Sequence, residues 1–161
     1  AALLKQAKVV VWTLGLTELW RNKHDHATYF ALPLAEIYNE NEHEFHNLTY
    51  EEVISHLHYA ITMLKQHNPD IKIIFSVSPI PLHVTFRPEF GPYVATQYSK
   101  SVLHAAALSL TDQYDYVYYM PSYEIVRSNP LGNYQPDGRH VNQDCVDLIM
   151  QAFKKLYVYG P

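Results

Sequence analysis

Two unbroken apolar runs, KVVVWTL at residues 8–14 and IKIIFSVS at residues 71–78, constrain this chain more than any other feature. Each is rich in valine or isoleucine and lacks the polar alternation of a half-exposed strand, as expected for strands covered on both faces inside a parallel sheet. Even extended to their apolar neighbours, both fall far short of the roughly 18 residues that span a bilayer, so no membrane crossing is expected.

Parallel strands need long crossovers, and the intervening sequence supplies helices. TYEE at residues 49–52 has the form of a capping box, with Glu52 three residues after Thr49, and Val53, Leu57, Ile61 and Leu64 follow at helical spacing. This helix stops before Asn68-Pro69. Val94, Tyr98, Val102, Ala105, Ala106, Ser109 and Leu110 predict a second helix over 94–113, YDYVYYM a third strand over 114–120, and a last helix runs from about Asn142 to Leu156. The alternation predicts an α/β fold with a mainly parallel sheet. Residues 21–47 show no sustained period and read as a long surface excursion, while Pro79, Pro81 and Pro88 punctuate a second loop. The chain opens within AALLKQAKVVVW, the end of a helix entering a strand, so its start is expected to be truncated.

With 161 residues and 48% hydrophobic composition, one domain over 1–161 is expected. The net charge of -4 is spread over mixed residues with no basic run, which argues against a nucleic-acid partner. Cys145, the single cysteine, has no internal disulfide partner, so a reducing compartment is the default and cytoplasmic placement the expectation.

In such a fold the ligand crevice lies outside the carboxyl ends of the strands. Four segments converge there: the turn at Gly15, the loop 79–91, the loop after Met120, and PDGRHVNQD at 136–144. Asp137 and His140, three residues apart on the last of these, suit a pair in which a carboxylate orients an imidazole for acid/base work. Asp137 serves equally well as the start of a turn with Gly138. Arg139 between them either holds an anionic group or is solvated. Gly15 allows close backbone approach, and Thr17 carries a hydroxyl that could face developing negative charge. Read blandly, Gly15 makes a strand-end turn and Thr17-Glu18 begin a helix. The serines available as nucleophile, Ser76, Ser78, Ser99, Ser101 and Ser122, lack the GxSxG elbow. Close histidine pairs, including HEFH at 43–46, are not accompanied by HExxH or a Cys-His set, so neither a metal nor another cofactor is expected.

Six ordered blocks, VVWTLGLTELW, HEFHNLTYEEV, FSVSPIPLHVTF, YSKSVLHAAA, PSYEIV and DGRHVN, resemble the GSCFA family from Val9 to about Phe153. That family is itself similar to the SGNH (GDSL-like) hydrolases. The Gly-Ser-Cys-Phe-Ala segment that gives the family its name, and whose serine corresponds to the SGNH nucleophile, is absent from this sequence. The resemblance implies a three-layer α/β/α sandwich, SGNH-hydrolase-like and flavodoxin-like, of which this chain is the C-terminal portion. It also puts Asp137 and His140 in the place of the SGNH Asp-x-x-His pair, and Gly15 and Thr17 in the place of Gly-x-Asn, the oxyanion motif, where threonine reaches less far than asparagine. Glu18, Trp20, His46 and Tyr98 lie in matching blocks and, with Arg139, are candidates to line the pocket. The implied activity is that of a serine esterase or acyltransferase acting on a small-molecule or carbohydrate ester, with the serine upstream. The alternative is a module that binds carbohydrate or peptide in the same cleft. A metal-dependent hydrolase would need three ligands near Gly15, which the histidine spacing does not predict.

Overall fold

A computed structural model of the chain describes residues 2–129 and 133–159. A short helix α1 (Ala2–Gln6) leads into β1 (Val9–Leu14), followed by β2 (Glu18–Asn22), β3 (His43–Asn47), α2 (Tyr50–His67), β4 (Lys72–Val77), α3 (Pro92–Gln113), β5 (Val117–Met120), α4 (Ser122–Ser128) and α5 (Gln143–Tyr157). The architecture is α/β, with a three-stranded parallel sheet in the order β1-β4-β5. Among the described residues no helix is long and apolar enough to cross a membrane.

The continuous apolar run of β4 follows from its central place, since side chains pointing both ways are covered. Ile73, Phe75 and Val77 point into a core with Val53, Leu57 and Ile61 of α2 and Leu103, Ala106, Ala107 and Leu110 of α3. Ile61, Ile73 and Phe75 are fully buried, each side chain contributing about 1.5–3 kcal/mol from leaving water. On the opposite face Ser76 and Ser122 of α4 hydrogen-bond to each other, and Ser122 Oγ donates to the carbonyl of Val77 at 3.0 Å. Helix α5 packs against α4. The capping box is present: Thr49 Oγ1 accepts from the Glu52 amide at 3.3 Å, and Glu52 Oε2 accepts from the Thr49 amide at 2.8 Å.

Strand β1 is at the edge of the parallel sheet, and its valines are left partly uncovered, Val9 at 45% and Val11 at 52% exposed. Valine on a parallel strand is expected to be covered, so one face of this edge strand is left incompletely covered by the described residues.

Four expectations are corrected. The excursion over 21–47 is not structureless: its two ends belong to β2 and β3, which pair antiparallel from Glu18↔Asn47 to Asn22↔His43. Both strands have five residues and are almost wholly half-buried, so neither alternation nor an apolar run marks them in sequence. Glu18 accordingly opens a strand, not a helix. The buried stripe of α3 consists of Ala95, Ser99, Lys100, Leu103, Ala106, Ala107 and Leu110, rotated from the one that Val94 and Tyr98 suggest, and Val94 is 51% exposed. Counting only apolar residues misses it because two of the buried residues are polar. Finally, α4 occupies a segment with no helical period long enough to read.

Candidate active site

The loop carrying Asp137 and His140 is pinned at its base. Tyr134 and Val141 form an antiparallel bridge, the Gln135 amide donates to the His140 carbonyl at 2.7 Å, and the Gly138 amide donates to the Gln135 carbonyl at 2.9 Å. Gly138 has φ of +67°, a left-handed conformation that suits glycine and lets the chain reverse between Asp137 and His140. Asn142 then caps α5, its side chain accepting from the Cys145 amide at 2.9 Å.

Within this turn Asp137 Oδ1 accepts from the amides of Arg139 at 2.9 Å and His140 at 3.0 Å, which leaves Oδ2 for the His140 Nδ1. The His140 bond first, and then the two amides, hold the Asp137 carboxyl well below the usual carboxylate range. Nδ1 is thereby occupied, and Nε2 has no hydrogen-bond partner among the described residues. A carboxylate on one imidazole nitrogen and an open position on the other is the arrangement of a general base.

His140 lies on a groove of about 640 Å³ whose apolar wall includes Val11 of β1, Met120 of β5, and Ile149, Met150 and Phe153 of α5. Ser76 and Ser122 also line it, but both are buried and bonded to each other. On the other side of the same loop a second pocket of about 540 Å³ is lined by Asp137, Gly138 and Arg139 together with Arg127 and Tyr134.

The other candidate residues are elsewhere. Thr17 is fully buried: its hydroxyl donates to Asn47 Oδ1 at 2.7 Å, lies 2.8 Å from Ser99 Oγ, and its amide donates to Ser99 Oγ at 3.3 Å. The one hydroxyl proton of Thr17 is therefore committed to Asn47. At Gly15 the carbonyl accepts from Lys100 Nζ at 2.8 Å, and a side chain at this position would meet open space. Lys100 is fully buried, and burial pulls its ammonium down to about 8. Glu18 accepts from the Thr85 hydroxyl and, at 3.4 Å, from the Phe86 amide, tying β2 to the proline-rich loop. Trp20 packs edge-on against Phe86 at 5.0 Å between centroids. His46 Nε2 is 2.8 Å from Glu52 Oε1, and the Tyr98 hydroxyl donates to the Leu48 carbonyl at 3.3 Å. None of Gly15, Thr17, Glu18, Trp20, His46 and Tyr98 lines either cavity beside the Asp137-His140 loop. Arg139 lines one of them, as does Arg127, which sequence reasoning missed because a lone arginine on an unread helix carries no signal.

Fold and loop together define an α/β protein that presents a carboxylate-imidazole pair beside an apolar groove. The GSCFA family model matches residues 1–153, and the chain belongs to the GSCFA family. Neither the curated proteins nor the solved structures contain a match to it.

Proposed function

We propose that the chain is the acid/base portion of an SGNH-like serine esterase or acyltransferase with a three-layer α/β/α arrangement. The observation that carries this reading is the Asp137-His140 pair, its Nδ1 held by the carboxylate and its Nε2 open. In the reaction Nε2 removes the proton of a serine hydroxyl as its oxygen attacks the ester carbonyl, and Asp137 stabilises the imidazolium that results. The tetrahedral intermediate collapses, His140 returns the proton to the leaving alkoxide, and an acyl-enzyme remains. Water or a sugar hydroxyl then attacks the acyl group with His140 again acting as base, and the second tetrahedral intermediate collapses with cleavage of the acyl–serine bond as His140 returns the proton to the serine oxygen. The Thr17 hydroxyl proton is committed to Asn47, so the oxyanion is proposed to be held by donors other than that hydroxyl. The serine is proposed to come from a Gly-Ser-Cys-Phe-Ala segment preceding this sequence. The place of β1 at the edge of the parallel sheet supports that placement, since a further strand could pair there beside Val11, which lines the same groove as His140.

The test is hydrolysis of p-nitrophenyl acetate by a longer protein that includes that segment, compared with its His140→Ala form. Loss of roughly 10²–10⁴-fold in kcat on substitution is expected for a general base. Equal rates from two well-folded proteins would sink the esterase reading and leave the cleft as a binding module.

A further inference from the structure

The pocket on the far side of the Asp137-His140 loop has a chemical character of its own. Its polar walls are Arg127 from α4, Arg139 from the loop and His83 from the loop after β4, and its flat walls are Tyr93, Tyr123 and Tyr134. Tyr134 is fixed, its hydroxyl donating to the Pro79 carbonyl at 3.0 Å. Neither arginine forms an ion pair among the described residues. More telling, Arg139 Nε is buried with no hydrogen-bond partner, the one such side-chain nitrogen or oxygen among the described residues. A buried guanidinium N–H without an acceptor is costly, and it leaves this guanidinium, which lines the pocket, without any partner among the described residues. The one carboxylate on the wall, Asp137, is already engaged by His140 and two amides. Among the described residues, two arginines without an ion pair therefore line this space, and its one carboxylate is already engaged.

We propose that this pocket is an anion-recognition subsite, in which Arg127 and Arg139 bind the carboxylate or phosphate of an acylated saccharide whose ring lies against the tyrosine walls. Guanidinium recognises either group through paired N–H donors, and flat aromatic faces suit the apolar face of a sugar ring. The reading deepens the proposed esterase activity and rests on it. The pocket holds one end of the substrate while the ester projects past Gly138 to His140. The substrate class is thus an ester of an anionic sugar rather than of a neutral one.

Calorimetric titration with glucuronate, glucose 6-phosphate and glucose tests this without requiring turnover. An anionic sugar is expected to bind at least about 10-fold more tightly than glucose, and Arg127→Gln or Arg139→Gln to weaken it by about 10-fold each, the loss expected for a charge-assisted hydrogen bond. Tighter binding of glucuronate assigns the site to a carboxylate, and tighter binding of glucose 6-phosphate to a phosphate. The proposal is overturned if neither anion outbinds glucose, or if both glutamine variants bind as the unchanged protein does. Salt titration of the unchanged protein is a check independent of any variant, since affinity that does not fall as NaCl rises would also overturn it. Anion binding by the longer protein without turnover of p-nitrophenyl acetate refutes the esterase reading and leaves the subsite standing, whereas turnover without anion preference does the reverse.

Discussion

Lys100 offers the sharpest quantitative test of the structure around the Gly15 turn. Its ammonium is fully buried and has the Gly15 carbonyl as its hydrogen-bond acceptor, with no carboxylate paired to it among the described residues. Desolvation lowers its proton affinity from the ordinary 10.5 to about 8. Below about pH 8 the amine is protonated in both folded and unfolded chains, and burying the charge then costs about 3 kcal/mol. Between the folded and unfolded values the unfolded chain binds more protons, so stability rises with pH, and by pH 9.5 the penalty falls to about 1.5 kcal/mol. Lys100→Met keeps the length of the side chain and removes the titration. It also strands the Gly15 carbonyl, a pH-independent loss of about 1–3 kcal/mol. The diagnostic quantity is therefore the stability of the variant minus that of the unchanged protein, which should decrease by about 2 kcal/mol between pH 7 and 9.5. Urea unfolding followed by fluorescence of Trp12 and Trp20 measures it at both pH values. Buried tyrosines such as Tyr119 and Tyr134, whose hydroxyls are raised above their usual range chiefly by desolvation, act alike in the two proteins and cancel. A difference that stays constant within about 0.5 kcal/mol would refute the buried, desolvated amine.

The remaining predictions probe the pair, the turn and the core. Because the Asp137 carboxyl is held below its unfolded value of 3.8, its contribution to stability is complete above that pH and is lost as pH falls through the folded value. Asp137→Asn should therefore flatten part of the acid-side decline in Tm, and a decline identical to that of the unchanged protein would count against the bond to His140. Thr17→Val keeps the shape and deletes the hydroxyl, leaving Asn47 and Ser99 short of a partner, so urea unfolding should show a loss of about 1–3 kcal/mol. Adding Ser99→Ala should cost less than the sum of the two single losses, because both residues belong to one network. Ile61→Ala, at a fully buried position between α2 and the sheet, should lower stability by about 2–5 kcal/mol, and a smaller loss would mean that the core collapses around the space.

What could be read from the sequence, and what could not, divides along sequence separation. The central strand β4 was legible because coverage on both faces forces an unbroken apolar run, and α2 because its cap and its stripe are both local. Asp137 and His140 were legible as a pair because three residues of turn bring them together. Strands β2 and β3 were not, since half-burial on both faces leaves no period. The clasp at the carboxyl end of β1 unites Thr17 with Asn47 and Ser99, residues 30 and 82 positions away, and no local pattern encodes such contacts. Lys100 is a further case: nothing in YSKSVLHAAA marks its lysine as buried, yet α3 puts that ammonium on the Gly15 carbonyl, 85 positions away in sequence. Arg127 was not legible either, since it shares a pocket with Arg139 only because α4 and the last loop meet there, whereas Arg139 could be picked out by its place between Asp137 and His140. In a fold whose crevice is assembled from the ends of separate strands, a carboxylate-imidazole pair and its neighbour Arg139 can be local in sequence, but a residue that joins them from another element, such as Arg127, cannot be. Substrate preference in this chain should therefore respond to substitutions at Arg127 or Arg139 that leave the Asp137-His140 bond intact.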